Sequence, residues 1–255
     1  MTYIGAKDFD LEVSRGNIGG LTKFSKFGRG TNYDTADATA LDVWSTKALY
    51  TGFPTGAAEA MEVVSSNGND TSAGTGAQTV EISNLIDSTG AASANVTVTL
   101  NGTTPVTLGA TTYTRASRIR VLTAGSTGGN EGIISLNHAI TTANVFAAMP
   151  IGFNQTQLAA YTVPLGSTLY INRIDISMTR ASGAAGSANV TVRSRPDGGA
   201  FNAIRNVEIS DSHGYDFIDD GYLTFEAQTD IVVRVEDVSD NDTIVTAELD
   251  GYLCT

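Results

Sequence analysis

Residues 95–108, Asn95-Val-Thr-Val-Thr-Leu-Asn101-Gly102-Thr-Thr-Pro105-Val-Thr-Leu108, set two runs of alternating Val and Thr about an Asn-Gly pair. Asn-Gly takes up the left-handed conformations that a type I′ turn requires, and Val/Thr alternation suits a half-buried pleated strand, so this stretch predicts a β-hairpin. The same grammar continues in both directions. Toward the N-terminus it gives strands over Met61–Ser65 and Gln78–Ser83, and toward the C-terminus over Ser117–Thr123 and Gly132–Leu136. Short strands between turns at this spacing indicate a β-sandwich or small barrel.

A second series follows Asn154, with strands expected over Ala159–Val163, Leu169–Thr179, Ala188–Ser194, Ala203–Ser210, Tyr222–Ala227, Ile231–Glu236 and Thr243–Leu249. In Leu169–Met178 strict alternation puts Leu169, Ile171, Arg173 and Asp175 on one face and Tyr170, Ile174, Ile176 and Met178 on the other. Ile231–Glu236 and Thr243–Leu249, joined by residues 237–242, read as a closing hairpin with a bulge at Ser239-Asp240. The expected fold is therefore all-β: two antiparallel β-sandwich or jelly-roll-like domains, over 56–155 and 156–255, preceded by an extended N-terminal arm over 1–55.

The arm mixes aromatics with many Gly and Asn and shows no sustained period. Between Ser14 and Asn32 it carries Arg15, Lys23, Lys26 and Arg29 and no acid, whereas from Val207 onward thirteen Asp/Glu face one cation, Arg234. Such a basic, aromatic-bearing segment suits docking on an acidic protein shell, with Arg15, Lys23, Phe24, Lys26, Phe27, Arg29 and Trp44 as the contact residues. On composition alone a solvated glycine-rich loop is an equal reading.

The chain is 255 residues long with a formal charge of −12, which disfavours nucleic acid as a partner, since neutralising phosphates needs clustered Lys and Arg. The single Cys254 can form no intramolecular disulfide. The N-terminus lacks a basic start followed by an apolar run, and no stretch of some twenty apolar residues occurs. Synthesis in the host cytoplasm and no membrane partner are expected.

Chemistry is sparse. Only His138 and His213 could act as an imidazole base, and no Gly-x-Ser-x-Gly elbow accompanies them. Gly125–Gly132 is glycine-rich but lacks the Lys-Ser/Thr of a P-loop, so it reads as a turn. The polar run Ser65–Gly76 reads as an exposed loop. Acids cluster at 211–220 and 237–242 without EF-hand spacing, which favours a solubilising surface over a calcium site. No catalytic residue, cofactor or metal is assigned, and an enzyme is not expected.

Val43-Trp44, Val63-Val-Ser-Ser66, Asp70-Thr-Ser-Ala-Gly-Thr-Gly-Ala-Gln-Thr-Val80, Leu100-Asn-Gly-Thr-Thr-Pro-Val106 and Tyr161-Thr-Val-Pro-Leu-Gly166 together resemble a group of tailed-bacteriophage virion structural proteins. The resemblance spans about residues 40–255 and implies copies on a symmetric lattice. It implies a capsid decoration or cement protein on the virion head surface, with the major capsid protein and its own copies, as a homotrimer or other homo-oligomer, as partners. The alternative is a neck or tail appendage, or an adhesin gripping host glycans through loops such as 213–222.

Overall fold

The computed structural model describes residues 9–37, 39–53, 57–180, 186–210 and 215–255. A short helix, α1 (Phe9–Ser14), precedes β1 (Leu21–Tyr33) and β2 (Leu41–Asp42). Nine short strands follow: β3 (Met61–Ser65), β4 (Ala77–Ser83), β5 (Ile86–Asp87), β6 (Val96–Thr99), β7 (Val106–Thr107), β8 (Tyr113–Arg115), β9 (Arg118–Ala124), β10 (Ile134–His138) and β11 (Val145–Met149). The chain ends with β12 (Ala160–Thr162), β13 (Thr168–Arg180), β14 (Ser187–Arg195), β15 (Asn202–Ser210), β16 (Tyr215–Phe225), β17 (Asp230–Val238) and β18 (Thr243–Cys254). All pairing between these strands is antiparallel, in four sheets of three to five strands and one two-stranded sheet, β5-β8.

Apolar packing joins the sheets in two pairs. The sheet β1-β18-β13-β16 and the sheet β12-β17-β14-β15 enclose one core, with Phe24, Ile171, Ile174, Val190, Val233 and Leu249 among its buried members. The sheets β11-β10-β3-β7 and β6-β4-β9 enclose a second, built on Met61, Val80, Ile119, Leu136 and Phe146. Burying each such side chain is worth about 1.5–3 kcal/mol.

The two halves are related by insertion. Along one edge of β17, Leu41 and Asp42 pair with Val235 and Arg234, while Ala160, Tyr161 and Thr162 pair with Val232, Ile231 and Asp230. Between them the Val43 amide donates to the Val233 carbonyl (2.8 Å), and the Val233 amide donates to the Ala159 carbonyl (3.0 Å). β2 and β12 are thus two pieces of one strand, interrupted by residues 44–158. The Ala159 amide closes the neck by donating to the Val43 carbonyl (3.0 Å).

This arrangement corrects the expected arm. β1 pairs with β18 from Leu21↔Cys254 to Tyr33↔Thr243, so Leu21–Tyr33, placed in the arm by the sequence, form an integral strand of the C-terminal half. Its inward positions are Phe24, Lys26, Gly28 and Gly30, its outward ones Lys23, Ser25, Phe27 and Arg29. The alternation is real, but lysine and glycine fill buried slots, so an apolar count does not register it. The basic N-terminal segment and the acidic C-terminal one, expected to seek different neighbours, lie side by side.

Both predicted hairpins are corrected as well. β6 pairs with β4, and β7 pairs with β3 in the facing sheet, so residues 100–105 form an arch from one layer to the other. Only Gly102 has a positive φ, at 60°; it packs against Gly68, where an added Cβ would lie 3.0 Å from the Gly68 Cα. β17 and β18 likewise belong to opposite sheets. An Asn-Gly or Asp-rich turn encodes a reversal, and whether the arms pair or face each other across a core depends on partners elsewhere in the chain.

The face assignment in β13 also changes. The register slips between Ile171 and Arg173 against both neighbours, and opposite β18, where Ile171 pairs with Gly251 and Arg173 with Asp250, Asn172 is left as an extra residue. This bulge brings Leu169 and Ile171 onto the same buried face as Ile174, Ile176 and Met178. Gly251 lies opposite, where a Cβ would stand 1.9 Å from the Tyr170 carbonyl oxygen, so glycine is required for the bulge to close.

Candidate functional site

The seam between the two cores carries several of the buried charged groups among the described residues, Lys26, Asp42 and Asp230. Trp44, Tyr50, Leu158, Ala160 and Val232 form a small apolar cluster there, with Trp44 and Tyr50 edge-to-face at 5.2 Å. The Trp44 indole N–H donates to the Ala48 carbonyl (2.7 Å), and the Tyr50 hydroxyl donates to the Phe146 carbonyl (2.7 Å). Asp42 is buried and holds Arg234 through 2.6 and 3.2 Å contacts while accepting the Tyr50 amide (2.7 Å). Burial pushes the Asp42 carboxyl up, and Arg234 opposes that shift.

Lys26 crosses the seam from β1. Its ammonium donates to the Ser117 carbonyl (2.5 Å) and hydroxyl (3.2 Å). Burial, with Arg118 adding repulsion, lowers it from 10.5 to about 7. Nearby, a buried carboxylate joins three elements. Arg115, at the end of β8, meets Asp230 through Nε–Oδ1 and Nη2–Oδ2 contacts of 3.0 Å each. Arg195, at the end of β14, reaches the same carboxylate through Nε (3.0 Å) and Nη2 (2.5 Å), and the Thr162 hydroxyl donates to Oδ1 (2.5 Å). Phe53 and Phe201 flank the guanidinium groups at 4.7–5.8 Å.

This clamp forms the floor of a cavity of about 410 Å³. One wall comes from the insertion, with Ile86, Ser88, Thr89, Gly90, Thr114 and Arg115. The other comes from Thr162, Val163, Arg195, the turn 197–199, Gln228 and Asp230. The 88–90 turn is held by Asp87, whose Oδ1 accepts the amide (2.8 Å) and hydroxyl (2.7 Å) of Thr89 and the amide of Ala91 (3.1 Å). Those bonds lower the Asp87 carboxyl below its ordinary range. None of the cavity's charged residues was among the expected docking residues. One signal was present, since Asp230 opens the apolar run Ile231-Val-Val, and a carboxylate at the head of a buried strand needs a cation.

A third buried carboxylate organises the insertion. Asp70 accepts the Ser65 hydroxyl (2.6 Å) and the amides of Ala77 (2.7 Å), Glu131 (2.9 Å) and Gly132 (2.8 Å). The stretch 65–76, expected to be an exposed loop, is therefore pinned at its centre by a fully buried side chain.

The seven residues expected to dock on a shell are dispersed. Phe24, Lys26 and Trp44 are buried with partners inside the chain, Phe27 and Arg29 are half-buried, and Arg15 and Lys23 are exposed. Arg15 pairs with Glu12 of α1 at 3.2 Å. Of the two histidines, His138 is buried at the end of β10, its Nδ1 accepting the amides of Ile140 and Thr141 and its Nε2 lying 3.1 Å from Glu59. His213 and Asp211 lie outside the described residues, and with them the start of the loop considered for glycan contact; Tyr215–Phe225 is β16. No described helix is long and apolar enough to cross a membrane.

No protein-family model matches the chain, and no curated protein matches it in sequence. Among solved structures, that of infectious bursal disease virus Gt strain aligns over 92% of this chain and 72% of its own, at 9% identity and a TM-score of 0.22. The VP2 subviral particle of infectious bursal disease virus aligns over 93% and 82%, at 8% identity and a TM-score of 0.15. Similarity at this level carries no argument about fold or role.

Proposed function

We propose that this chain is a non-enzymatic structural protein of a virus particle. Its own strand order carries the reading. Counting β2 and β12 as one interrupted strand, the C-terminal half has eight strands in chain order, and its two sheets run 1-8-3-6 and 2-7-4-5. That is the order of a double Greek-key jelly roll, an architecture shared by viral capsid domains, lectins and cupins. An inserted β region leaving one strand through a two-residue neck adds a second lobe to such a body, suited to reaching a neighbour. Because fold alone does not fix function, the choice among jelly-roll roles rests on the sequence resemblance to tailed-phage virion proteins.

Within a particle the finer reading is a capsid decoration or cement protein on the head, bridging major capsid subunits as a homo-oligomer. Symmetry multiplies a modest contact into strong attachment, so no single interface need be large. Since Phe24, Lys26 and Trp44 are occupied internally, the contact would be made by folded lobe surfaces, with Lys23 and Arg15 as the cations that remain exposed. Peptide mass spectrometry and cryo-electron microscopy of purified particles test this. Many copies over the head support it, as does a shell that still assembles without the protein but ruptures at lower temperature. Absence from particles overturns the virion reading, and a few copies at one vertex overturn decoration.

A further inference from the structure

From the cavity floored by Arg115, Asp230 and Arg195 we infer a binding site for an acidic saccharide, one or two sugar rings bearing a carboxylate. The volume of about 410 Å³ lies within the range of small-ligand sites. Its floor holds two guanidinium groups against a single carboxylate, one positive charge in excess in a chain of net charge −12. The Arg side chains are 16% and 15% exposed, so this charge is poorly screened, whereas Asp197 sits exposed at the rim. Arg195 spends Nε and Nη2 on Asp230 and the Phe53 carbonyl, which leaves its Nη1 to donate to a ligand anion.

The walls argue for a sugar over a bare anion. Ser88, Thr89, Thr114 and Gln228 supply hydroxyl and amide groups above the floor, while among the described lining residues Ile86 and Val163 are the only large aliphatics and none is aromatic. Both lobes contribute wall, so a bound ring would span the seam.

Isothermal titration of the full chain with a glucuronate-containing disaccharide tests the inference, with the matching neutral glucose disaccharide, acetate and inorganic phosphate as parallel arms. The acidic disaccharide is expected to saturate at least about tenfold tighter than any of the other three. Arg195→Gln should weaken it by at least about tenfold. Ser88 is exposed on a turn, so Ser88→Trp should fold normally, fill the cavity and abolish binding. Absence of saturable binding, equal affinity for the neutral sugar or for phosphate, or undiminished binding by Ser88→Trp would each overturn the inference. The test is independent of particle incorporation, so a protein found in virions that binds no sugar sinks this site alone.

Discussion

The two lobes solve the same problem, burying a β core, by different means. The C-terminal half uses long strands: β1 and β13 have 13 residues, β18 has 12, and the buried faces are mostly Val, Ile and Leu. No strand of the insertion exceeds seven residues, and its sheets are tied by one buried carboxylate, Asp70, that accepts four donors from three stretches of chain. Long strands distribute their stability over many equivalent contacts. Short ones concentrate it, because arches and turns leave backbone groups that a ladder would have satisfied.

Asp70→Ala should break the comparison most sharply. It strands the amides of Ala77, Glu131 and Gly132 in the interior, and a loss of about 3–5 kcal/mol is expected. Hydrogen exchange would show β3, β4 and β10 losing protection while β13 and β18 keep theirs; uniform loss would mean the lobes are one cooperative unit. Asp230→Asn comes next, at about 3 kcal/mol, because two guanidiniums lose the charge that pairs them across the seam. Calorimetry should then resolve two transitions where the parent gives one.

Lys26→Met separates the lobes by pH. The folded ammonium titrates at about 7 against an ordinary 10.5, so between those values the unfolded chain binds more protons and stability rises with pH. The penalty is complete below pH 7 and gone above 10.5. Methionine keeps the apolar stem, so it should stabilise by about 1–2 kcal/mol at pH 6, have little effect at pH 10, and flatten the slope in denaturant titrations between them. The smallest effect belongs to Gly102→Ala at the arch, where a φ of 60° and the nearby Gly68 would cost about 1 kcal/mol, seen as a small drop in Tm.

Much of the strand content was legible. Met61–Ser65 coincides with β3, and the expected strands at 188–194, 203–210 and 231–236 fall within β14, β15 and β17. β1 escaped because Lys26, Gly28 and Gly30 occupy its inward positions, and β2 because half a strand is too short to show a period. The cavity was harder to foresee. The charged residues of its floor come from positions 115, 195 and 230, and nothing local marks three such residues as neighbours.

Alternating Val, Ile and Thr with well-placed Asn, Asp and Gly determined that this chain is almost wholly β and where most of its strands run, because pleat periodicity and turn conformation are properties of a few adjacent residues. Tertiary structure alone decided that the Asn101-Gly102 and 239–242 turns are arches, that Asn172 bulges to unite the β13 face, that the basic N-terminal strand lies against the acidic C-terminal one, and that residues 44–158 interrupt a single strand. Each of those outcomes depends on which distant strand supplies the missing hydrogen bonds and buried surface, and a strand's own sequence constrains its partner far less than its shape.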